Sequence, residues 1–130
     1  VYMRKQDLKL AEEHFNIVVK AKPGYVQAIN NLGVIYLDSK KYAEAIEQFN
    51  KVLSLNKGYL NAYSNLGRAY FFTGQFNKAI NIIGQKMKLD PTGIADMPIL
   101  ALCYQKTGNM ELAKKYEAVA QEKYPDFKLE

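Results

Sequence analysis

The chain has 130 residues, the length of one domain, and its 48% hydrophobic and 24% charged residues exclude a disordered chain. It has no long apolar run and no basic start followed by an apolar stretch, so we expect a soluble protein without signal peptide, with the cytoplasm slightly favoured. One cysteine and one histidine exclude an internal disulfide and a cysteine-built zinc site, and they leave little for proton chemistry near neutral pH.

The net charge of +5 comes from 16 lysines and two arginines set against 13 acidic residues. Arginine makes the forked contacts to phosphates and bases, so its scarcity disfavours a nucleic-acid partner. A lysine-rich surface of this kind is typical of a solubilising one.

The same residue types recur every 34 positions along the chain. The repeated residues are Tyr2, Tyr36, Tyr70 and Tyr104; Ala11, Ala45, Ala79 and Ala113; Leu32, Leu66 and Leu100; and Pro23, Pro91 and Pro125. This internal period predicts a repeat array, divided into a partial repeat 1–25 and repeats 26–59, 60–93 and 94–127.

Within each period apolar residues fall three or four apart, so each unit is predicted to be two amphipathic helices joined by a short turn. In chain order, after a remnant that ends near Lys5, the predicted helices are 7–20, 25–38, 42–55, 59–72, 76–88, 94–106 and 110–123. Asp7 and Asn109 are predicted caps, and Pro98 is tolerated only if its helix begins late, with Asp96 as its cap.

Small residues in the pattern predict close packing of the helices. Gly33 and Gly67 carry no side chain, so the two helices of a unit can approach there, and Gly74 and Gly108 suit turns that need positive φ. A single helical hairpin cannot bury both of its faces, so the units must stack to enclose a core.

These residues resemble the tetratricopeptide repeat family, and the likeness covers essentially the whole chain. The family pattern is seen most closely in Tyr63-x-x-Leu66-Gly67-x-x-Tyr70 and Ala45-x-x-x-Phe49. The resemblance implies an all-α, right-handed superhelical solenoid of antiparallel helix pairs. It also implies that the first helices line a concave groove that binds peptides or proteins.

Four residues depart from the family pattern. Ile83 replaces its phenylalanine in the third unit, which is a harmless change. Glu117 stands where the pattern has phenylalanine, Lys86 stands where it has a small residue, and Gly84 lies in the middle of a helix. We expect the helix that carries Glu117 to be rotated or partly exposed.

The chain offers one thiol and one imidazole for catalysis, Cys103 and His14. The repeat places them far apart, so we expect Cys103 to be a buried core residue and His14 to be exposed on a helix. With no phosphate loop, metal-ligand pair or acid dyad, the sequence predicts neither enzymatic activity nor a cofactor.

By resemblance, the groove is lined by the residues of each first helix that face away from its partner. In the second unit these are Gln27, Asn30, Asn31, Val34, Leu37 and Asp38. In the third they are Asn61, Ser64, Asn65, Arg68, Phe71 and Phe72, and in the fourth Ala95, Ile99, Leu102, Gln105 and Lys106. Met3 and Arg4 extend this surface at its start.

Two features of this surface are informative. Asn31 and Asn65 lie one period apart, and their amides either pair with the backbone of an extended peptide or are consensus residues that steady the helix. Phe71 and Phe72 either act as apolar anchors in the groove or, for Phe72, pack against the turn. The lysine and arginine of the family's carboxylate clamp are replaced by Asn61 and Asn65, which disfavours binding of chaperone C-termini.

Three functions stay open at this point. The first is a protein-interaction scaffold that holds an acidic, partly apolar, extended peptide. The second is homo-oligomerisation through end helices, because Phe15 near the start and Tyr116 and Val119 near the end have no covering helix, as expected of a piece of a longer array. The third is a regulatory arm of an enzyme whose catalytic domain lies outside these residues.

Overall fold

The computed structural model describes residues 4–130, and all regular secondary structure in that range is helical. The seven helices of the described range are α1 (Lys5–Ala21), α2 (Val26–Asp38), α3 (Tyr42–Leu55), α4 (Leu60–Phe72), α5 (Phe76–Leu89), α6 (Met97–Lys106) and α7 (Met110–Gln121). The all-α prediction is confirmed. Tyr2 and Met3 lie outside the described residues, as does most of the predicted remnant helix.

Two helix starts differ from the prediction. Helix α1 begins at Lys5, so Asp7 lies inside its first turn and pairs with Arg4 at 3.3 Å instead of capping it. Helix α6 begins at Met97 rather than at 94, because Pro98 lacks an N–H group and belongs in a first turn. The side chain of Asp96 makes no cap contact, so that part of the prediction was wrong.

The turns between paired helices follow the glycine pattern. Gly74 and Gly108 adopt φ values of +74° and +86°. Lys40 holds the equivalent place between α2 and α3 with φ of +62°, a conformation that is costly for a residue with a side chain. Asn109 caps α7 as predicted, because its Oδ1 atom accepts the N–H of Leu112 at 3.1 Å.

Consecutive helices pack as antiparallel pairs, α2 with α3, α4 with α5 and α6 with α7, and each pair packs on the next. Helix α2 also lies close to α4, and α4 close to α6, whereas within residues 4–130 the Cα atoms of α3 and α5, and those of α5 and α7, stay more than 8 Å apart. The array is therefore narrower on the side of α2, α4 and α6. This side is the inner, concave face of the solenoid.

The core lies between the two helices of each pair and between successive pairs. Its largest fully buried side chains are Phe49, Ile29, Leu32, Leu66, Ile83, Leu100, Val52 and Cys103. Gly33 and Gly67 lie against Phe49 and Ile83, which confirms the predicted close approach. No helix in the described range is both long and apolar enough to cross a membrane.

Candidate functional site

The residues left open on the concave face form one stripe along each inner helix, at spacings of four, three and four. The stripes are Gln27, Asn31, Val34 and Asp38 from the second unit, Asn61, Asn65, Arg68 and Phe72 from the third, and Ala95, Ile99, Leu102 and Lys106 from the fourth. Each of these side chains is exposed or half-buried. This spacing keeps residues on one helix face, so the three stripes run side by side across the concave surface. Ala95 is the exception, because it lies in the turn before α6.

Two predicted groove residues are corrected by their burial. Asn30 is 6% exposed and Leu37 is 4% exposed. Leu37 belongs to the core cluster that includes Phe49 and Leu66, because the next inner helix covers that edge of α2. Neither side chain is open to a partner, so both are left out of the candidate site.

Three further predicted residues are half-buried and held by contacts within the chain. Ser64 Oγ donates a hydrogen bond to Asp96 Oδ2 at 3.0 Å. Gln105 Nε2 donates to the backbone carbonyl of Glu130 at 2.9 Å. Phe71 packs edge-on against Phe76, with ring centroids 5.7 Å apart. These residues border the groove rather than line its open floor.

Phe72 lies at the mouth of the groove and combines both roles considered for it. Its ring stacks on Tyr42 of α3 with centroids 5.8 Å apart, yet 52% of the residue is exposed. Phe71 contacts the ring of Phe72 edge-on at 5.7 Å. The ring is therefore held in place while its outer face stays open, which is the state expected of an anchor for an apolar group.

Asn65 contacts the buried Asn30 rather than lying free in the groove. Asn65 Nδ2 lies 3.5 Å from Oδ1 of the buried Asn30, a long contact between α4 and α2. Asn31 and Asn65 are themselves half-buried. Their pairing with the backbone of a bound peptide stays a prediction.

Sequence reasoning missed a buried ion pair beneath the groove. Lys86 Nζ of α5 lies 2.6 Å from Asp96 Oδ2, and the two side chains are 13% and 11% exposed. Asp96 therefore accepts hydrogen bonds from both Lys86 and Ser64 and ties α4 and α5 to the start of α6. The only signal in the sequence was a lysine in place of a small residue at position 86.

The open charges of the groove are Arg68, Lys106 and Asp38. Arg68 lies one turn before Phe72 on the same face of α4, so a positive charge stands beside the exposed ring. Lys106 and Asp38 lie at the same helix ends in the neighbouring units. The C-terminal ends of the inner helices therefore carry apolar side chains and two positive charges against one negative charge, whereas amides line the N-terminal ends of α2 and α4.

A second recess, of about 1110 Å³, lies between α1 and the turn that joins α2 to α3. Both positively charged lysines and negatively charged carboxylates line it, and Lys41 Nζ pairs with Glu12 at 3.1 Å. Because Lys41 donates this hydrogen bond to the Glu12 carboxylate, the pKa of Lys41 is raised above its ordinary value. Because these charges neutralise one another and the recess is wide, its lining favours no particular class of ligand.

The thiol and imidazole do not form a catalytic pair. Cys103 is fully buried on α6, and burial raises the pKa of its thiol to about 12. His14 is exposed on α1, whose backbone lies close to α2 but to no other helix of residues 4–130. Both placements confirm the predictions. Residues 4–130 also contain no group of three or more His, Cys, Asp or Glu side chains that could hold a metal ion.

The comparison with protein families agrees with this geometry. Three tetratricopeptide repeat models match residues 1–59, 36–96 and 99–126. The chain belongs to the tetratricopeptide repeat family. Its inner helices are thus the first helices of tetratricopeptide repeats, and the concave face is the surface that the three stripes define.

Solved structures of MamA are similar to this repeat array. One MamA crystal structure is 26% identical with a TM-score of 0.86, and the match covers 98% of this chain and 78% of that chain. A second is 25% identical with a TM-score of 0.82, covering 95% and 69%. MamA AMB-1 is 26% identical with a TM-score of 0.78, covering 85% and 66%. No curated protein sequence matches the chain.

Proposed function

We propose that the protein is an interaction scaffold that holds an extended segment of a partner protein in its concave groove. The observation that carries this proposal is the set of three parallel stripes, whose side chains stay open while the residues between them are buried or bonded. The tetratricopeptide repeat fold and the MamA-like neighbours support a role in protein–protein interaction.

The chemistry of the stripes favours an acidic, partly apolar segment. Arg68 and Lys106 offer positive charge, and Phe72 offers an exposed ring beside Arg68. Asn31 and Asn65 offer amides that can both donate to and accept from a peptide backbone. A segment with a carboxylate next to a large apolar side chain would therefore be held at the end of α4.

The test uses peptides selected from a random phage-displayed library on the intact protein. Selected peptides are expected to be enriched in acidic residues next to apolar ones. The double variant Asn65→Ala and Arg68→Ala should weaken their binding about tenfold or more, because it removes an amide contact and a charge, with an unchanged circular dichroism spectrum.

The matched control is the outer-face variant Glu47→Ala and Lys51→Ala. These two exposed residues of α3 form an ion pair at 3.3 Å, and we expect their loss to leave the affinity unchanged. Equal binding by the groove variant and the intact protein would remove the groove from the account, as would a loss of binding confined to the outer-face variant.

Self-association is a second candidate, favoured by the apolar surface of α1. Leu10 is 58% exposed and Ile17 is 68% exposed, and they lie two turns apart on one face of the helix. We propose that a second copy covers this face. Sedimentation velocity across a concentration series should show a dimer that the variant Leu10→Ser and Ile17→Ser abolishes; a monomer at every concentration would end this candidate.

A further inference from the structure

The segment after α7 begins with a turn that the chain has already used three times. The N–H of Phe127 donates to the carbonyl of Tyr124 at 3.0 Å, with Pro125 at the second position. The same turn occurs 34 residues apart, at 22–25, 56–59 and 90–93. Proline is favoured at this place because its φ is already set for the turn, which explains the repeated prolines of the sequence.

After the earlier turns the inner helices begin at Val26, Leu60 and Met97, whereas residues 127–130 have no regular secondary structure. From Phe127 to Glu130 half-buried and exposed residues alternate: Phe127 and Leu129 are half-buried, whereas Lys128 and Glu130 are exposed. This two-residue period is that of an extended strand with one side against a surface.

The surface beneath it holds the backbone of this segment at three points. Gln121 Nε2 donates to the carbonyl of Phe127 at 2.9 Å, and the N–H of Leu129 donates to Glu117 Oε2 at 2.6 Å. Gln105 Nε2 donates to the carbonyl of Glu130 at 2.9 Å. Glu117 and Gln121 lie one turn apart on α7, so one helix face grips successive backbone groups of the extended chain.

An apolar cleft receives Phe127, the one aromatic side chain of residues 127–130. Phe127 packs with Tyr116 and Val119 against a core cluster that contains Ile83 and Leu100. Tyr116 is fixed there by stacking on Tyr104, with ring centroids 5.6 Å apart. The sequence predicted that Tyr116 and Val119 face solvent or another chain. Both are half-buried and pack against this same core cluster, so neither is fully open to solvent.

We propose that the face of α6 and α7 is a second peptide-binding site, which meets the concave groove at Gln105, and that residues 127–130 are its ligand in cis. The three contacts to the backbone do not depend on the sequence of the bound segment. The apolar cleft that holds Phe127 selects which side chain can bind. The ligand class is an extended segment with an aromatic residue two positions before an aliphatic one. Glu117, which departs from the repeat pattern, is the residue that converts this helix face into a receptor for a backbone N–H.

The test is competition between the attached segment and a labelled peptide with the sequence of residues 124–130. The full chain with Phe127→Ala and Leu129→Ala, in which the attached segment is weakened, should bind the peptide about tenfold or more tightly than the unaltered chain. Adding Glu117→Ala to that variant should abolish the gain, whereas adding Lys114→Ala, an exposed position of α7, should not. A peptide altered at Phe127 should lose binding, and one altered at the exposed Lys128 should keep it.

Equal binding of the peptide to the unaltered and weakened chains, or to neither, would overturn the proposal. Hydrogen exchange on the unaltered chain gives a second, independent result that needs no weakened variant. The Leu129 amide should exchange about tenfold or more slowly than the Lys128 amide and should lose this protection in Glu117→Ala. Similar exchange of the two amides in the unaltered chain would also overturn it.

Discussion

Gly33 of α2 lies directly against the ring of Phe49 on α3, so that a Cβ carbon added at Gly33 would come within 2.5 Å of Cε1 of the ring. Phe49 is fully buried in the core, so a shift of its ring would disturb the close packing around it. Gly33→Ala is therefore expected to lower the free energy of unfolding by about 1–3 kcal/mol, measured by urea denaturation.

The matched control for this change is Gly84→Ala in the middle of α5. An added Cβ there meets nothing within 4 Å, so only helix propensity acts, and the free energy of unfolding should rise by about 1 kcal/mol. If both changes had the same sign, close packing of α2 on α3 would not be the reason for the glycine.

A change of Lys40 to glycine is expected to stabilise the protein, the opposite of the effect of Gly33→Ala. Its φ of +62° matches that of Gly74 and Gly108 in the equivalent turns, but its side chain makes that conformation costly. Lys40→Gly should raise the free energy of unfolding by about 0.5–1 kcal/mol, and Gly74→Ala should lower it by a similar amount. A thermal melt of each variant measures both effects, and a destabilised Lys40→Gly protein would contradict this account of the turn.

The ion pair of Lys86 and Asp96 should be costly to break from one side. Lys86→Ala leaves a nearly buried carboxylate with Ser64 as its remaining partner, and we expect a loss of about 3 kcal/mol in the free energy of unfolding. Replacing both residues, by Lys86→Met and Asp96→Leu, should cost less than either single change, because no charge is then left unpaired. A single variant as stable as the unaltered protein would show that the pair does not hold α6 in place.

Cys103 predicts a dependence of stability on alkaline pH. Burial raises the pKa of its thiol from 9.0 to about 12, so the folded state keeps a proton that the unfolded chain has lost. The stability that this group contributes is complete below pH 9.0 and falls as the pH rises toward 12.

The measurement is the difference in the free energy of unfolding between the unaltered protein and Cys103→Ala. This difference should shrink by up to about 1.4 kcal/mol per pH unit above pH 9, while other titrating groups affect both proteins alike. A difference that stays constant between pH 8 and pH 10.5 would show that the thiol is not buried in solution.

The architecture was predictable from the sequence because each residue type that recurs every 34 positions meets the same local structural requirement in every unit. Gly33 and Ala45 are small where helices touch, and the glycines of the turns sit where φ is positive. Such local requirements leave a direct mark on the residue type at each position. The late start of α6 also had its signal in Pro98.

The groove was predictable as a face but not residue by residue. Asn30 and Leu37 occupy the same helix face as open residues, and their burial depends on how closely the next inner helix approaches, which a single helix pattern does not contain. Residues that depart from the family pattern marked polar contacts that the sequence analysis did not predict. Lys86 and Glu117 each replace an apolar or small residue, and each has a polar partner, Asp96 or the Leu129 amide, that compensates for the replacement.

The proposal that a peptide binds in the concave groove is tested most directly by finding which face of the solenoid touches a bound peptide. A photo-crosslinking benzoylphenylalanine is placed at Phe72, where the native ring is already 52% exposed, or at Lys51 on the outer face of α3. With a peptide selected on the intact protein, the account predicts a cross-linked product from position 72 and none from position 51. Cross-linking from position 51 alone would contradict it.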